Sequence, residues 1–419
     1  MNRATAALAI LFVVGLFNNI DRALISILQV PIKQDLDLSD SQLGMLTGFS
    51  FSLVYALVLL PMGRMVDRYR RTWLLAGALT LWTLLTAASG FARSFTTLLL
   101  CRLGVAFGEA AGNPASYSLL ADYFPPEKRG RAFAVFAVAP FLGVFVGIFA
   151  GGFLAADLGW RASFLIVGLI GLLIVPLLLW LPEPKRGQQE ADPMSMAEGP
   201  PPIGKAMAQL FAIPAFRWLV FAMTCHSFVT SAYLNWTAPF LSRVHGLPLA
   251  EVGLWAAVPI GVGGAIGSLA GGFTVDIMTR RSQGWYGWGT AIATLLLYFA
   301  GAAQYLAPSV SVSIGFSFLT GALTSFFLAP SYASAQTLVA PAMRGMTTAV
   351  LTLVPVIFGS GLGPLVAGML SDYFTLTRGF GDEGLRYAML IAFLPAFGGA
   401  LGSFMMGQHF AKRQMTVVG

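Results

Sequence analysis

Apolar stretches of about 20 residues, each long enough to cross the hydrocarbon core of a bilayer, alternate along this 419-residue chain with short clusters of charge, proline and glycine. They predict helices near residues 4–31, 42–63, 73–91, 96–121, 132–156, 162–182, 216–240, 250–275, 285–306, 309–338, 346–371 and 385–410. The predicted class is an all-α membrane protein with twelve transmembrane helices in two six-helix bundles. Ala4–Ile20 runs on through Asp21 toward Pro31 without a small-residue cleavage site, so it reads as a retained helix rather than a secretory signal. Residues 183–215, polar and rich in proline, are the expected cytoplasmic linker between a bundle over 1–182 and another over 216–419.

The two blocks repeat. Leu38-Ser39-Asp40-Ser41-Gln42-Leu43-Gly44 has its counterpart in Leu247-Pro248-Leu249-Ala250-Glu251-Val252-Gly253, and Gly63 with Asp67 returns as Gly272 with Asp276. Arg129-Gly130, Pro140 and Asp157 keep the same spacing as Arg344-Gly345, Pro355 and Asp372. Parallel repeats around a central site suit an alternating-access transporter; a duplication that only builds a larger bundle is the plainer alternative. Rows of glycine at four-residue spacing, such as Gly143, Gly147, Gly151 and Gly263, Gly267, Gly271, let helix backbones approach closely.

Composition agrees with a polytopic membrane protein. Hydrophobic residues make up 57% and charged residues 10%, against about 25% charged in soluble domains. Most of the 25 lysines and arginines fall on one side of the predicted spans. Positive charge concentrates on the cytoplasmic side, which places both termini there and explains the net charge of +7 without nucleic acid. Cys101 and Cys225 lie in apolar stretches, too few for a disulfide framework or a zinc site. No metal or cofactor is expected, and the chain is expected to act as a monomer among membrane lipids.

Four charged side chains remain inside the apolar stretches: Asp21, Arg22, Arg102 and Glu109. Such groups are costly and usually mark an ion or substrate path. At 100° per residue Arg102, Ala106, Glu109, Asn113 and Ser116 share one helical face. Asp21 and Arg102 reach similar depth, so an ion pair is expected between them. Glu109, two turns deeper, has no evident fixed partner, and Arg22 points about a quarter turn from Asp21. Access alternating between sides would load and release a proton at Glu109, Asp21 or both. The competing reading is a permanent charge network that holds helices together, a device that costs desolvation without dependable gain.

In the second half, His226, Thr230, Tyr233 and Thr237 form one weakly polar stripe, and Thr320, Thr324, Phe327, Ser331 and Ser334 another. His226 either binds substrate or titrates, or is a hydrogen-bonded core histidine. Candidate substrate contacts are thus Arg22, Asn113, His226, Thr230, Tyr233 and Ser331. One charged wall and one apolar wall suit a molecule with a small ionic end and a greasy remainder. Gly63, Asp67, Arg68, Asp122 and Asp276 are candidate gate elements, with Gly63 admitting a close helix, Asp67 facing a helix N-terminus, and Arg68 pairing with Asp122 or Glu127.

Gly63-Arg64-Met65-Val66-Asp67-Arg68-Tyr69-Arg70-Arg71 resembles the loop signature of the major facilitator superfamily, with Arg70 where the pattern has its second glycine. Asn19-Ile20-Asp21-Arg22, Arg102-Leu103-Gly104 through Gly108-Glu109-Ala110, and Asp122-Tyr123-Phe124-Pro125-Pro126-Glu127 resemble its Spinster group of lipid transporters. The resemblance implies the twelve-helix fold of that superfamily, proton coupling through Asp21 and Glu109 tuned by Arg102, attraction of an anionic head group by Arg22, and a bacterial inner (cytoplasmic) membrane. The expected function is proton-linked transport of an amphiphilic lipid such as a lysophospholipid. A proton-coupled organic-anion transporter and a polyspecific drug exporter are the alternatives. An intramembrane enzyme is not expected, since neither His-Glu-x-x-His nor Gly-x-Ser-x-Gly occurs.

Overall fold

The computed structural model describes residues 3–189, 203–339 and 343–418. Residues 190–202, the middle of the expected linker, lie outside them. Every regular element among the described residues is helical: α1 Arg3–Leu36, α2 Asp40–Arg68, α3 Arg71–Ser89, α4 Phe95–Tyr123, α5 Pro126–Trp180, α6 Ile203–Ala212, α7 Pro214–Arg243, α8 Leu249–Met278, α9 Trp285–Leu306, α10 Val310–Leu338, α11 Arg344–Thr377 and α12 Gly381–Lys412. Ten of these are long and apolar enough to cross a membrane, and α6 with α7, bent by 94°, makes up to eleven. The bend falls at Ile213, which Pro214 forces out of helical geometry to φ −79°, ψ 111°.

The spans predicted over 132–156 and 162–182 meet inside α5 without an intervening loop; its 55 residues far exceed one crossing and comprise helices joined across a kink. Only Gly159, at φ 81° and ψ 165°, leaves helical geometry within Ala139–Leu172. A backbone there needs glycine, because a Cβ would clash with its own carbonyl. Elsewhere proline sets the irregularities. Pro259 and Pro355 lie in π-helical turns, Val258–Gly263 and Pro355–Gly361, which absorb the missing amide donor. In α4 the helix loosens at Ala110 and Ala111, where Pro114 offers no N–H to the Ala110 carbonyl. The Ala111 amide turns to Gly108 O instead, at 3.3 Å.

Local sequence also starts the helices. Ser39 caps α2 by accepting from the Gln42 amide at 3.1 Å while the Gln42 side chain accepts from the Ser39 amide at 2.9 Å.

The chain forms two compact units. The first takes in the described residues up to 189 with Gly246–Ala257, and the second takes in the described residues from 203 to His245 and from Val258 on. In the first, α5 packs along α1 through its glycine row, and a Cβ on Gly147 would sit 2.7 Å from the Ile20 carbonyl oxygen. In the second, α8 lies against α10 so closely that a Cβ on Gly267 would sit 1.8 Å from the Ala322 carbonyl oxygen. The rows are packing seams in both. In the first unit the row draws α1 into the interior, where the charges lie.

Candidate functional site

Asp21 and Arg22 follow one another on α1 and so point about 100° apart, each toward a different partner. Asp21 accepts from Arg102 Nη1 at 3.3 Å and from the Thr86 hydroxyl of α3 at 2.7 Å. Side-chain exposures of 3% and 1% seal that ion pair inside the unit. The expected Asp21–Arg102 pair is therefore present.

Glu109 is not partnerless, contrary to the expectation from depth alone. Arg22 Nε donates to its Oε2 at 2.5 Å. The extended guanidinium spans the turn that separates the two residues in depth. Phe51 and Tyr55, four residues apart on α2, hold the Arg22 guanidinium carbon 4.8 and 4.7 Å from their ring centroids. Arg102 also lies over Phe51, at 5.5 Å. Such cation–π contacts favour a partly desolvated cation. The aromatic pair was legible only as an i, i+4 spacing, a signal shared by ordinary packing, and Thr86 carried no signal at all.

Three atoms of this cluster are buried without a hydrogen-bond partner among the described residues: Arg22 Nη2, Arg102 Nε and Glu109 Oε1. The Arg22 side chain is 33% exposed, whereas Glu109 is fully covered. Asn113, one turn beyond Glu109, is exposed, while Ser116 is buried. The polar face predicted for α4 thus spans two environments across the break at Ala110.

In the second unit the two predicted stripes face inward. His226 is buried with Nε2 2.9 Å from Thr324 O and Nδ1 3.4 Å from the Thr294 hydroxyl, and it stacks on Phe327 at 4.1 Å. This is the core-histidine arrangement. Tyr233 is buried and donates to Ser317 O at 2.8 Å. Thr320, Thr324 and Ser334 return their hydroxyls to carbonyls of their own helix. Thr230 and Ser331 carry buried hydroxyls with no partner among the described residues.

The gate candidates are rearranged from the expected pairing. Arg68, at the end of α2, is exposed, and Arg71, 1% exposed, takes the place expected for it. The extended Tyr69 and Arg70 turn the chain so that Arg71 starts α3 pointing inward. It donates to Asp122, to Glu183 Oε1 at 2.8 Å, to Ser118 O at 3.1 Å and to Pro184 O at 3.0 Å. Arg186 donates to Val66 O and Tyr69 O, both at 2.7 Å, and the Gly187 amide to Asp122 Oδ1 at 3.0 Å. The start of the linker is thereby strapped over the end of α2. Burial works to raise the Glu183 carboxyl, but the Thr72 amide, Arg71 and the Thr72 hydroxyl outweigh it and hold it below its ordinary value. At Gly63 the expected close approach is absent: a Cβ would meet nothing within 4 Å. Asp67 and Asp276 are exposed.

Comparison with known proteins fits this geometry. The sequence pattern of the Major Facilitator Superfamily matches residues 11–305. An MFS-type efflux pump of Mycolicibacterium smegmatis (strain ATCC 700084 / mc(2)155) is 34% identical over 392 residues, which span 93% of this chain and 89% of the pump. A hexuronate transporter of Bacillus subtilis (strain 168) is 28% identical over 330 residues, 75% of this chain and 77% of that one. Among solved structures, a bacterial homolog to the human lysosomal transporter Spinster, inward-facing and unoccupied, superposes with a TM-score of 0.88 at 28% identity, covering 98% of each chain.

Proposed function

This chain belongs to the Major Facilitator Superfamily, a family of transporters rather than enzymes, and from that premise we propose that it is a proton-linked secondary transporter of an anionic amphiphile such as a lysophospholipid. It works by alternating access across the bacterial inner membrane with both termini cytoplasmic. Its spans number twelve, the fifth and sixth meeting at Gly159. The observation that carries the reading is the Arg22–Glu109 pair, in which the cation is reachable and the carboxylate is not.

An incoming anion competes with Glu109 for Arg22, whose side chain is partly exposed and whose Nη2 has no hydrogen-bond partner among the described residues. A carboxylate left without its counter-ion at that depth is strongly unfavourable, so a proton neutralises it. Anion and proton then bind together and leave together, which is coupling by linkage. Asp21, kept by Arg102 and Thr86, holds α1, α3 and α4 in register while Arg22 moves. Phe51 and Tyr55 give the head-group site an apolar flank that an acyl chain can share. The structural likeness to the Spinster homolog supports the same reading.

A second reading, proton-coupled transport of small organic anions, is favoured by the likeness to the hexuronate transporter and uses the same Arg22 and Glu109. Proteoliposomes loaded by an imposed pH gradient separate the two. Uptake of labelled lysophospholipid, competed by lysolipids and not by hexuronates, supports the first; the opposite competition assigns the second. A polyspecific exporter predicts instead that cationic dyes compete.

A further inference from the structure

Away from the charged pairs, the first unit carries a cavity of about 670 Å³ lined by Arg3 of α1, Tyr123 at the end of α4, Lys128 in the first turn of α5, and Glu183, Lys185 and Gln188 of the linker strap. We propose that this cavity binds a phosphate monoester, clamped by Arg3, Lys128 and Lys185.

Three features of the site carry the assignment. The three cations come from three separate segments and are exposed, and among the described residues none of them is held by a carboxylate. Glu183, the carboxylate among the lining residues, is already engaged. Its oxygens take Arg71 Nε at 2.8 Å, the Thr72 amide at 3.0 Å and the Thr72 hydroxyl at 2.9 Å. Asp122 behind it is engaged by Arg71 and the Gly187 amide. Among the described residues, the carboxylates at the cavity are thus already paired, and Arg3, Lys128 and Lys185 have no carboxylate partner.

The wall is also fixed in shape. Gln188 bridges from the Lys185 amide to the Asp122 carbonyl, at 3.2 and 2.7 Å, and the Tyr123 hydroxyl donates to Pro182 O. Lys185 is therefore presented by an ordered turn rather than by a free tail.

A single carboxylate offers two oxygens and one charge. A phosphate monoester offers three oxygens and up to two charges, which matches three cations lining one cavity. The cavity lies within the ~300–1,000 Å³ span of small-molecule sites, larger than bare phosphate needs. The ligand therefore has a body, and Phe124, Pro125 and Pro182 supply an apolar surface for it. That chemistry has two sources: a phosphatidate-type lipid head group in the adjoining leaflet, or a soluble sugar- or glycerol-type phosphate.

The test uses the full chain in detergent, titrated with dihexanoyl phosphatidate and with glycerol 3-phosphate by calorimetry and by thermal melting. Saturable binding of either that persists in the Arg22→Ala/Glu109→Gln double variant supports the site and keeps it distinct from the transport pair; binding lost in that variant overturns it. Phosphatidate alone identifies a lipid source; glycerol 3-phosphate binding as tightly identifies a soluble one. The Lys128→Gln/Lys185→Gln double variant should melt like the parent without ligand and bind about tenfold more weakly, since charge-assisted contacts are the strong ones. If that variant does not fold, Arg3→Gln, at an exposed position, should weaken binding in the same direction. No binding of either phosphate, or equal binding by the variants, overturns the proposal.

Discussion

Arg22 and Glu109 share a 2.5 Å hydrogen bond although their burial differs, with the Arg22 side chain 33% exposed and the carboxylate fully covered. Neighbouring Asp21 and Arg102 are covered on both sides. Of two ion pairs built on adjacent residues of one helix, only one has a partly exposed member. That asymmetry is what the proposed coupling uses.

Glu109→Gln keeps the volume and a hydrogen-bond acceptor for Arg22 but removes the titrating group. Transport driven by an imposed pH gradient should fall to background, while counterflow of substrate and a cooperative thermal transition persist. Gradient-driven uptake at the parent rate would remove Glu109 from coupling.

Arg22→Ala should weaken binding of an anionic substrate by about 1.5–3 kcal/mol, roughly 10- to 150-fold in Kd. It also strands a buried carboxylate, at a cost of about 3–5 kcal/mol in stability. Adding Glu109→Gln should therefore restore melting temperature without restoring affinity. A double variant no more stable than Arg22→Ala would show that the two residues are not energetically coupled.

The Asp21–Arg102 pair was legible in the sequence because helical phase and depth suffice to align two residues on neighbouring antiparallel spans. Arg22–Glu109 was not, because it depends on how α1 is rotated against α4 and on the reach of one extended side chain. The choice of Arg71 over Arg68 as the partner of Asp122 turns on two extended residues, Tyr69 and Arg70, in a segment where four arginines compete. Spans were legible from length and apolarity, yet the absence of a loop between the fifth and sixth was not. The Asp157–Arg161 stretch of α5 reads as a loop by charge, while the backbone leaves the helix at Gly159 alone. The weakly polar stripes of α7 and α10 offered His226, Thr230, Tyr233 and Ser331 as substrate contacts because hydroxyls bonded to their own helix carbonyls carry the same sequence signature as ligand-facing ones.

Gly267→Val places a side chain against the Ala322 backbone, where even a Cβ would sit 1.8 Å from the carbonyl oxygen. Backbone cannot yield as a side chain can, so the loss should exceed the ~1–3 kcal/mol of ordinary overpacking and little folded protein should be recovered. Gly63→Ala, with nothing within 4 Å of its Cβ, should be neutral or stabilising by up to about 1 kcal/mol. Monodisperse Gly267→Val protein with the parent melting temperature would contradict the α8–α10 seam.

Glu183 gives the strap a pH dependence whose sign follows from its environment. Its carboxyl is held below the ordinary value of about 4.3 by the Thr72 amide, Arg71 and the Thr72 hydroxyl, against the upward push of burial. The unfolded chain then binds this proton before the folded one does. The stabilisation is complete above the ordinary carboxylate range and disappears as pH falls through the folded value. Glu183→Gln should lower the melting temperature at pH 7 and make its decline below about pH 5 shallower, because one acid-sensitive contact is already gone. Arg71→Ala should cost more, about 3–5 kcal/mol, since it leaves Asp122 and Glu183 facing one another without their cation. Melting curves from pH 7 to pH 3 decide the matter: a Glu183→Gln profile parallel to the parent throughout would mean that Arg71 and Thr72 do not hold this carboxylate in its ionised form.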